Sequence, residues 1–395
     1  MSSPSTASST PTSSPKMTVL QVLPSLVSGG VETGTIDIAK ALVDQGHLAI
    51  VISSGGPMVK QLEATGARHI TLPVQSKNPH RIWKNAQRLK KIIKDYKIDL
   101  VHARSRAPAW SCYWATKNTS TPFITTFHGT YGHHSKLKRW YNAVMLHSNQ
   151  TIAVSNFIAK HIQTIYLNQL HAIQVIHRGI DTDKFNPQSV TPDALTALKQ
   201  QWDIPDNKLV LMLPGRITRW KGHRVLIEAL SKIDTSQLIC LMVGDGQGKT
   251  QYRQELDQLI QQHHLEKQVK FVGACRDMPT AYKLANIVIS ASTDPEAFGR
   301  VACEAQAMDC LVIATAHGGS QETMADCQRN FLCLPNDVDS MATSLTRAIT
   351  KLQDQNEAIF SESRAHIEQH FSLKKMCQAT LTLYAKHLDC NRDGN

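Results

Sequence analysis

Residues 294–305 read "DPEAFGRVACEA". Just before them, "NIVISAS" (286–292) is an apolar run of strand length, rich in β-branched side chains. After Gly299, "RVACEAQAM" carries helix formers and an Ala-rich face. Phe298-Gly299 is therefore expected where the carboxyl end of a strand passes into a helix N-terminus. Backbone N–H groups at such a point have no partner within the helix and suit phosphate. Glu296 and Glu304 lie eight residues apart around this turn. They could be an acid/base pair of the glycosidase kind, or two groups that grip a ligand. In one continuous helix they would stand about 12 Å apart along the axis, beyond the roughly 6.5–9.5 Å of inverting glycosidases. A turn at Phe298-Gly299 relaxes that spacing, so the surroundings decide. A strand end, a glycine and an exposed helix start favour two hydroxyl-binding groups on either side of a phosphate cradle.

The same strand-to-helix step recurs along the chain. "MTVLQVLPSL" (17–26) reads as a buried strand turned by "VSGG", followed by a helix that closes at Gly46. "HLAIVISSGG", "HITLPV", helix 80–95, "IDLVHARS", helix 107–117, "PFITTFHG" and "QTIAVS" continue the alternation. It pauses in the Pro- and Asp-containing segment that begins at Asp181. It restarts at "KLVLMLPGR", with helix 223–232, "LICLMVGDG", helix 250–263, "VKFVG", "NIVISAS" and "CLVIAT". Strands that are apolar throughout, alternating with helices, imply parallel sheets covered on both faces. The expected fold class is α/β: two Rossmann-like doubly wound domains facing a cleft, with ligands at the strands' carboxyl ends. The expected divisions are a disordered tail (1–16), an acceptor-side domain (17–187), a linker (188–206), a donor domain (207–370) and a terminal helix (371–395) that crosses back to the first domain.

The chain has 395 residues, more than one core usually holds, and is 42% hydrophobic. No apolar run reaches the roughly 18 residues that span a bilayer. The Ser/Thr/Pro-rich N-terminus lacks the basic start and apolar stretch of a signal peptide. Nine cysteines with scattered spacing and no C-x-x-C argue against disulfides and zinc, and fit a reducing cytoplasm. Charge is divided unevenly: residues 1–190 carry 21 Lys+Arg and 8 Asp+Glu, whereas the remainder carries 22 and 24. A basic first half suggests a polyanion or an anionic membrane as its neighbour. Within it, "NPHRIWKNAQRLKKIIKDYK" (78–97) sets Arg81, Lys84, Arg88 and Lys91 at three- and four-residue steps, opposite Ile82, Ala86, Leu89, Ile93 and Tyr96. The apolar face packs on a sheet; the cationic stripe fits anionic lipid headgroups. No aromatic-interleaved basic groove or nucleic-acid motif accompanies it, so no nucleic acid is expected as a partner.

Several loops carry ligand-type chemistry. Gly29-Gly30 follow a strand and precede a helix, but "GGVETG" lacks the G-x-G-x-x-G spacing and no acidic residue ends the second strand. "VGDGQGKT" (243–250) resembles a Walker A loop, yet only three residues separate Gly244 from Gly248 where that loop needs four. "PGRITRWKGH" (214–223) puts Gly215, Arg216 and Lys221 on one strand-to-helix loop, and two such cations suit a diphosphate. His128 ends the apolar strand of "TTFHGT". His102, Arg104 and Arg106 lie at a similar strand end and could hold an anionic or hydroxylated acceptor.

Taken in order, "SGGVE", "VIHRGIDTDKF", "GRITRWKGH", "VGDGQG", "FVG", "DPEAFGRVACEAQAM" and "AHGGSQET" resemble a retaining glycosyltransferase of family four, the group 1 glycosyltransferases of GT-B fold. The resemblance spans Met17 to about Leu388. "VHARSRAPAW", "TTFHGTY" and "HRGID" look similar to bacterial lipopolysaccharide-type members. The resemblance implies that Arg216 and Lys221 hold the donor diphosphate, while Phe298, Gly299, Arg300 and Val301 present N–H groups to the phosphates and sugar. Glu296 would meet the sugar hydroxyls and Glu304 the nucleotide ribose. Gly29 and Gly30 would lie against the donor, Gly215 and Gly244 would border it, and Gly318, Gly319 and Glu322 would form a neighbouring loop. His128 matches the family's active-site histidine and, with Arg104, is expected on the acceptor side. Arg178 stands where Asn is common; Asp309 and Leu311 replace the usual Gly and Pro at a helix exit.

The resemblance further implies transfer of a sugar from a UDP- or GDP-sugar to a hydroxyl of a lipid-linked or lipopolysaccharide-type acceptor, with retention. His128, Arg216, Lys221 and Glu296 would be the catalytic group. No cofactor and no catalytic metal are expected, and the protein would sit peripherally on the cytoplasmic face of the cell membrane. A non-catalytic sugar-nucleotide-binding protein and a sugar-nucleotide epimerase are the competing readings.

Overall fold

The apolar runs build two parallel sheets. The computed structural model describes residues 16–167, 173–246, 248, 250–324, 331–353 and 360–392. The tail expected at 1–16 lies outside the described residues but for Lys16. So do Gln247 and Lys249 of the Walker-like loop, and 393–395 of the expected terminal segment.

The first sheet holds β1 (Thr18–Val22), β2 (Leu48–Ser53), β3 (Arg68–Thr71), β4 (Leu100–Ala103), β5 (Phe123–Phe127), β6 (Gln150–Ala153) and β7 (Ile173–Val175). Its strand order is β3-β2-β1-β4-β5-β6-β7. The helices between these strands are α1 (Gly30–Asp44), α2 (Val59–Glu63), α3 (Pro79–Asp95), α4 (Arg106–Thr116), α5 (Lys136–Ala143) and α6 (Asn156–Ile165). After α7 (Pro192–Gln201), the second sheet comprises β8 (Leu209–Pro214), β9 (Leu238–Val243), β10 (Val269–Gly273), β11 (Ile287–Ser290), β12 (Leu311–Thr315) and β13 (Phe331–Cys333). Its order is β10-β9-β8-β11-β12-β13. Its helices are α8 (His223–Leu230), α9 (Thr250–Gln262), α10 (Met278–Leu284), α11 (Arg300–Ala307) and α12 (Ser320–Met324). The helices α13 (Val338–Gln353), α14 (Phe360–His370) and α15 (Leu373–Arg392) follow the last strand.

Both orders are those of a doubly wound sheet, whose strand order reverses beside its first strand. The reversal falls between β1 and β4 in one sheet and between β8 and β11 in the other. Loops leaving the carboxyl ends of these pairs diverge and leave room for a ligand. Contacts divide the chain into two compact units. One runs to Thr125 and includes 147–149 and the chain from Leu383; the other comprises Thr126–Leu146 and Gln150–Thr382.

The second sheet explains why its strands show no apolar–polar alternation. Val210, Met212, Ile239, Leu241, Val288 and Val312 enter one core. Their neighbours Leu211, Leu213, Cys240, Met242, Ile287 and Ile313 enter the core on the opposite face. Successive strand residues point to opposite faces, so two covered faces require apolar residues at every position. Each fully buried aliphatic side chain contributes about 1.5–3 kcal/mol.

Helix starts follow local chemistry. Asn78 caps α3, its side-chain oxygen accepting from the N–H groups of His80 and Arg81, with Pro79 at the first helical position. Ser155 caps α6 and Thr191 caps α7 through their hydroxyls. At the exit of α11, Asp309 adopts φ 59°, a region that glycine enters freely and that Asp tolerates better than most residues.

Gly222, at the start of α8, has φ 74°, and a Cβ there would lie 1.8 Å from the carbonyl oxygen of Ala291. Gly222→Ala is expected to lower stability by about 3 kcal/mol or more, because both the backbone angle and the contact forbid a side chain. Urea unfolding of the variant against the parent protein measures it.

Candidate functional site

The loop after β8 and the loop after β11 flank the reversal of the second sheet, and backbone contacts join them. The Thr293 N–H donates to the Trp220 carbonyl at 2.7 Å, and Gly222 lies on Ala291. This brings Lys221 to Glu296: Nζ and Oε1 are 2.5 Å apart, with the side chains 13% and 12% exposed. The Ser292 hydroxyl donates to the same carboxylate oxygen at 2.6 Å. Lys221 also lies over the Trp220 ring, 4.3 Å from its centroid. Arg216, on the same loop, is exposed and makes no side-chain hydrogen bond or ion pair among the described residues. Lys221 is thus already paired, as is Arg219 of the same loop with Glu255, whereas Arg216 projects without a partner among those residues.

Gly299 is the N-cap of α11, at φ 92°, and no side chain caps the helix. Gly299 offers no side chain of its own to the N–H groups of that first turn. Phe298 is buried, while Arg300 and Val301 open the helix. Arg300 pairs with Glu304 one turn later at 2.7 Å, and the buried Tyr282 hydroxyl donates to the other Glu304 oxygen at 3.0 Å. Burial, followed by the Glu304 charge, raises the Tyr282 phenol well above its ordinary range, so it remains a donor. Glu296 and Glu304 share no hydrogen-bond partner in these contacts. They belong to two separate polar groups on either side of Gly299.

A third loop, after β12, packs against the turn that precedes Gly299. The Gly319 N–H donates to the Glu296 carbonyl at 2.8 Å. A Cβ on Gly318 would meet that carbonyl oxygen at 2.5 Å, and one on Gly319 would meet the Ala297 oxygen at 2.5 Å. Thr315 Oγ1 donates to the Ser292 carbonyl at 2.8 Å, and His317 Nε2 approaches it at the same distance. Gly244 packs against Gly215, where a Cβ would lie 1.9 Å from the Gly215 oxygen.

Glu322 accepts at Oε2 from the Asn156 N–H at 2.8 Å and at Oε1 from the Phe157 N–H at 2.5 Å; His177 Nε2 lies 3.0 Å from Oε2. Burial opposes its charge, but the His177, Phe157 and Asn156 bonds hold the carboxyl below its usual range. Ser155 donates to the Ala297 carbonyl at 2.6 Å. Nδ1 of the half-buried His128 is 2.8 Å from the Arg178 guanidinium.

In the other unit, Gly29 is the N-cap of α1, which begins at Gly30 without a side-chain cap. Arg104 is buried and donates to Gln21 Oε1 at 3.3 Å, while Gln21 Nε2 donates to the Thr35 carbonyl. His102 corrects an expectation: it is fully buried, with Nδ1 2.6 Å from the Tyr384 hydroxyl, and burial holds its imidazole well below the ordinary range. It is a packing group, not an acceptor contact. Arg81, Lys84, Arg88 and Lys91 are all exposed on α3, and Ile82, Ala86 and Leu89 are buried. Trp83, which the helical pattern does not single out, is 58% exposed on the same helix.

Sequence reasoning also missed Ser292, Tyr282 and the Glu322 contacts. Tyr282 precedes Glu304 by 22 residues and sits on another helix, so no local pattern links them. Among the described residues, no group of three His, Cys, Asp or Glu could hold a metal ion.

Two α/β sheets, with uncapped helix starts beside paired cationic and acidic side chains, define a protein of the GT-B class. The description Glycosyltransferase Family 4 matches residues 28–184, and Glycosyl transferases group 1 matches residues 196–365. A glycosyltransferase from Rickettsia africae ESF-5 is 42% identical, with TM-score 0.88 over 94% of this chain and 99% of that one. Anabaena Alr3699/HepE, solved in complex with UDP-glucose, is 26% identical, with TM-score 0.79 over 94% of this chain and all of that one (100%). N-acetyl-alpha-D-glucosaminyl L-malate synthase of Bacillus anthracis is 23% identical over 94% of this chain and 97% of its own length. The chain belongs to the group 1 glycosyltransferases.

His223, the first residue of α8, is fully buried behind the Lys221 loop, and burial pushes its imidazole down to about 4 from 6.5. Between these values the unfolded chain binds the proton and the folded chain does not. The contribution to stability is therefore complete above pH 6.5 and falls as the pH drops toward 4. The loss from this residue is about 3 kcal/mol. Urea unfolding across this range is expected to show a shallower pH slope for His223→Gln than for the parent protein.

Proposed function

We propose that this glycosyltransferase moves a hexosyl unit from a UDP- or GDP-sugar to a hydroxyl of a lipid-linked or lipopolysaccharide-type acceptor, retaining the anomeric configuration. The observation that carries the donor reading is the uncapped start of α11, set between the Lys221–Glu296–Ser292 group and the Arg300–Glu304–Tyr282 group. Donor phosphates would accept from the N–H groups of Gly299, Arg300 and Val301. Arg216 would reach the diphosphate and Lys221 would turn part of its charge to it. Glu296 would accept from the sugar hydroxyls and Glu304 from the ribose. Gly29, Gly30, Gly215 and Gly244 would let backbone approach the donor closely, and His128 and Arg104 would serve the acceptor side.

As the bond from the anomeric carbon to the phosphate oxygen breaks, its electron pair passes to the diphosphate. Arg216, Lys221 and the α11 N-terminus would stabilise that growing charge. The acceptor oxygen bonds to the same face of the anomeric carbon, and its proton passes to the departing phosphate oxygen. Lipid-linked acceptors agree with the exposed basic stripe on α3 and with Trp83, a side chain suited to the membrane interface. Peripheral association with the inner face of the cell membrane follows from that reading. Among the described residues, no helix is long and apolar enough to cross a membrane.

A panel of sugar nucleotides, each with and without a lipid-linked acceptor, tests the reaction: acceptor-dependent nucleotide release is expected for one donor. With that donor, Arg216→Ala and Lys221→Ala should each lower kcat/KM about 100-fold, or roughly 2.7 kcal/mol. Undiminished turnover would remove these residues from the phosphate site.

Membrane attachment has its own measurement. Reversing Arg81, Lys84, Arg88 and Lys91 to Glu should abolish co-sedimentation with phosphatidylglycerol vesicles at low salt, and leave transfer to a water-soluble acceptor intact.

A further inference from the structure

Arg178 approaches the histidine read above as serving the acceptor side. Its guanidinium nitrogen lies 2.8 Å from His128 Nδ1. A guanidinium has only donors and keeps its charge throughout the working pH range. Nδ1 must therefore be the acceptor, and the single proton of the neutral ring must lie on Nε2. Protonating Nδ1 would break this bond and set two positive groups against each other.

The chain around Arg178 is held on both sides. His177 contacts Glu322, with Nε2 3.0 Å from Oε2. On the other side, a Cβ on Gly179 would lie 2.4 Å from the Leu373 Cα. The Ile180 N–H donates to the Phe371 carbonyl at 2.8 Å, and the Leu373 N–H donates back to the Ile180 carbonyl at 2.7 Å. Arg178 is thus anchored at its backbone and presents its guanidinium from a fixed base.

We infer that Arg178 is a positioning residue that locks His128 as the neutral Nε2–H tautomer, so that His128 meets the substrate as a hydrogen-bond donor and not as a base. This rests on the reading of His128 as a site residue. It also agrees with the proposed route of the acceptor proton to the leaving phosphate, since a locked donor has no vacant nitrogen for that proton.

The test uses full-length protein labelled with 15N-histidine, with the His128 signal identified by its loss in His128→Gln. Two-bond 1H–15N correlation near pH 6.5, about where a free imidazole is half charged, should show bare Nδ1 and protonated Nε2. Arg178→Ala should shift the signal toward the charged form, and Arg178→Lys, which keeps a donor, should preserve part of the original signature. In transfer assays Arg178→Ala should lower kcat about tenfold and leave the donor KM within about twofold. A doubly protonated or Nδ1–H ring in the parent protein would overturn the inference, as would an unchanged signal in a folded Arg178→Ala. If Arg178→Ala fails to fold, the parent and Arg178→Lys spectra still decide. Full activity of His128→Gln would also overturn the donor role. A locked tautomer in a protein without any transferase activity would count against the proposed function alone.

Discussion

The candidate site depends on one close approach, the backbone of Gly222 against the carbonyl of Ala291. β8 and β11 are neighbours in the sheet but far apart in the chain, and their loops leave the same end in different directions. Only a residue without a side chain lets the two loops touch. The Thr293–Trp220 backbone bond then sets their register, and Lys221 reaches Glu296. Removing either partner from so enclosed a pair would leave an uncompensated charge, at a cost of about 3–5 kcal/mol. Ser292 and the glycine contacts of the β12 loop hold the same segment from the other side.

Helix starts divide by chemistry. α3, α6 and α7 are closed by side-chain caps from Asn78, Ser155 and Thr191. α1, α8 and α11 begin at glycines without one. Met58 and Ser105, at the starts of α2 and α4, supply no side-chain cap either. Side-chain caps typically contribute about 1 kcal/mol, so helices without them forgo stability. The uncapped starts of α1 and α11 follow glycines that the family resemblance assigns to the donor. Under the proposed donor reading, a capping side chain there would occupy the space and the N–H groups offered to phosphate.

The alternation of apolar runs and helical stretches was legible because each parallel strand, covered on both faces, must be apolar throughout. The boundary at Gly299 was legible for a similarly local reason: a strand, a glycine and a helix former in direct succession. Polar partnerships across the fold were not. Tyr282 and Glu304 come from different helices, and Glu322 meets α6 from a distant part of the chain. His102 misled because a histidine at a strand end looks alike whether it faces solvent or, as here, Tyr384.

The sequence by itself determined the repeating strand–helix units, the apolar cores and the glycine turns at strand ends, since these follow from neighbours in the chain and from periodicity. Tertiary structure alone decided which polar groups meet: Lys221 with Glu296, Glu304 with Tyr282, and Arg178 with His128. Those pairs depend on strand order, and strand order arises from packing whole units side by side.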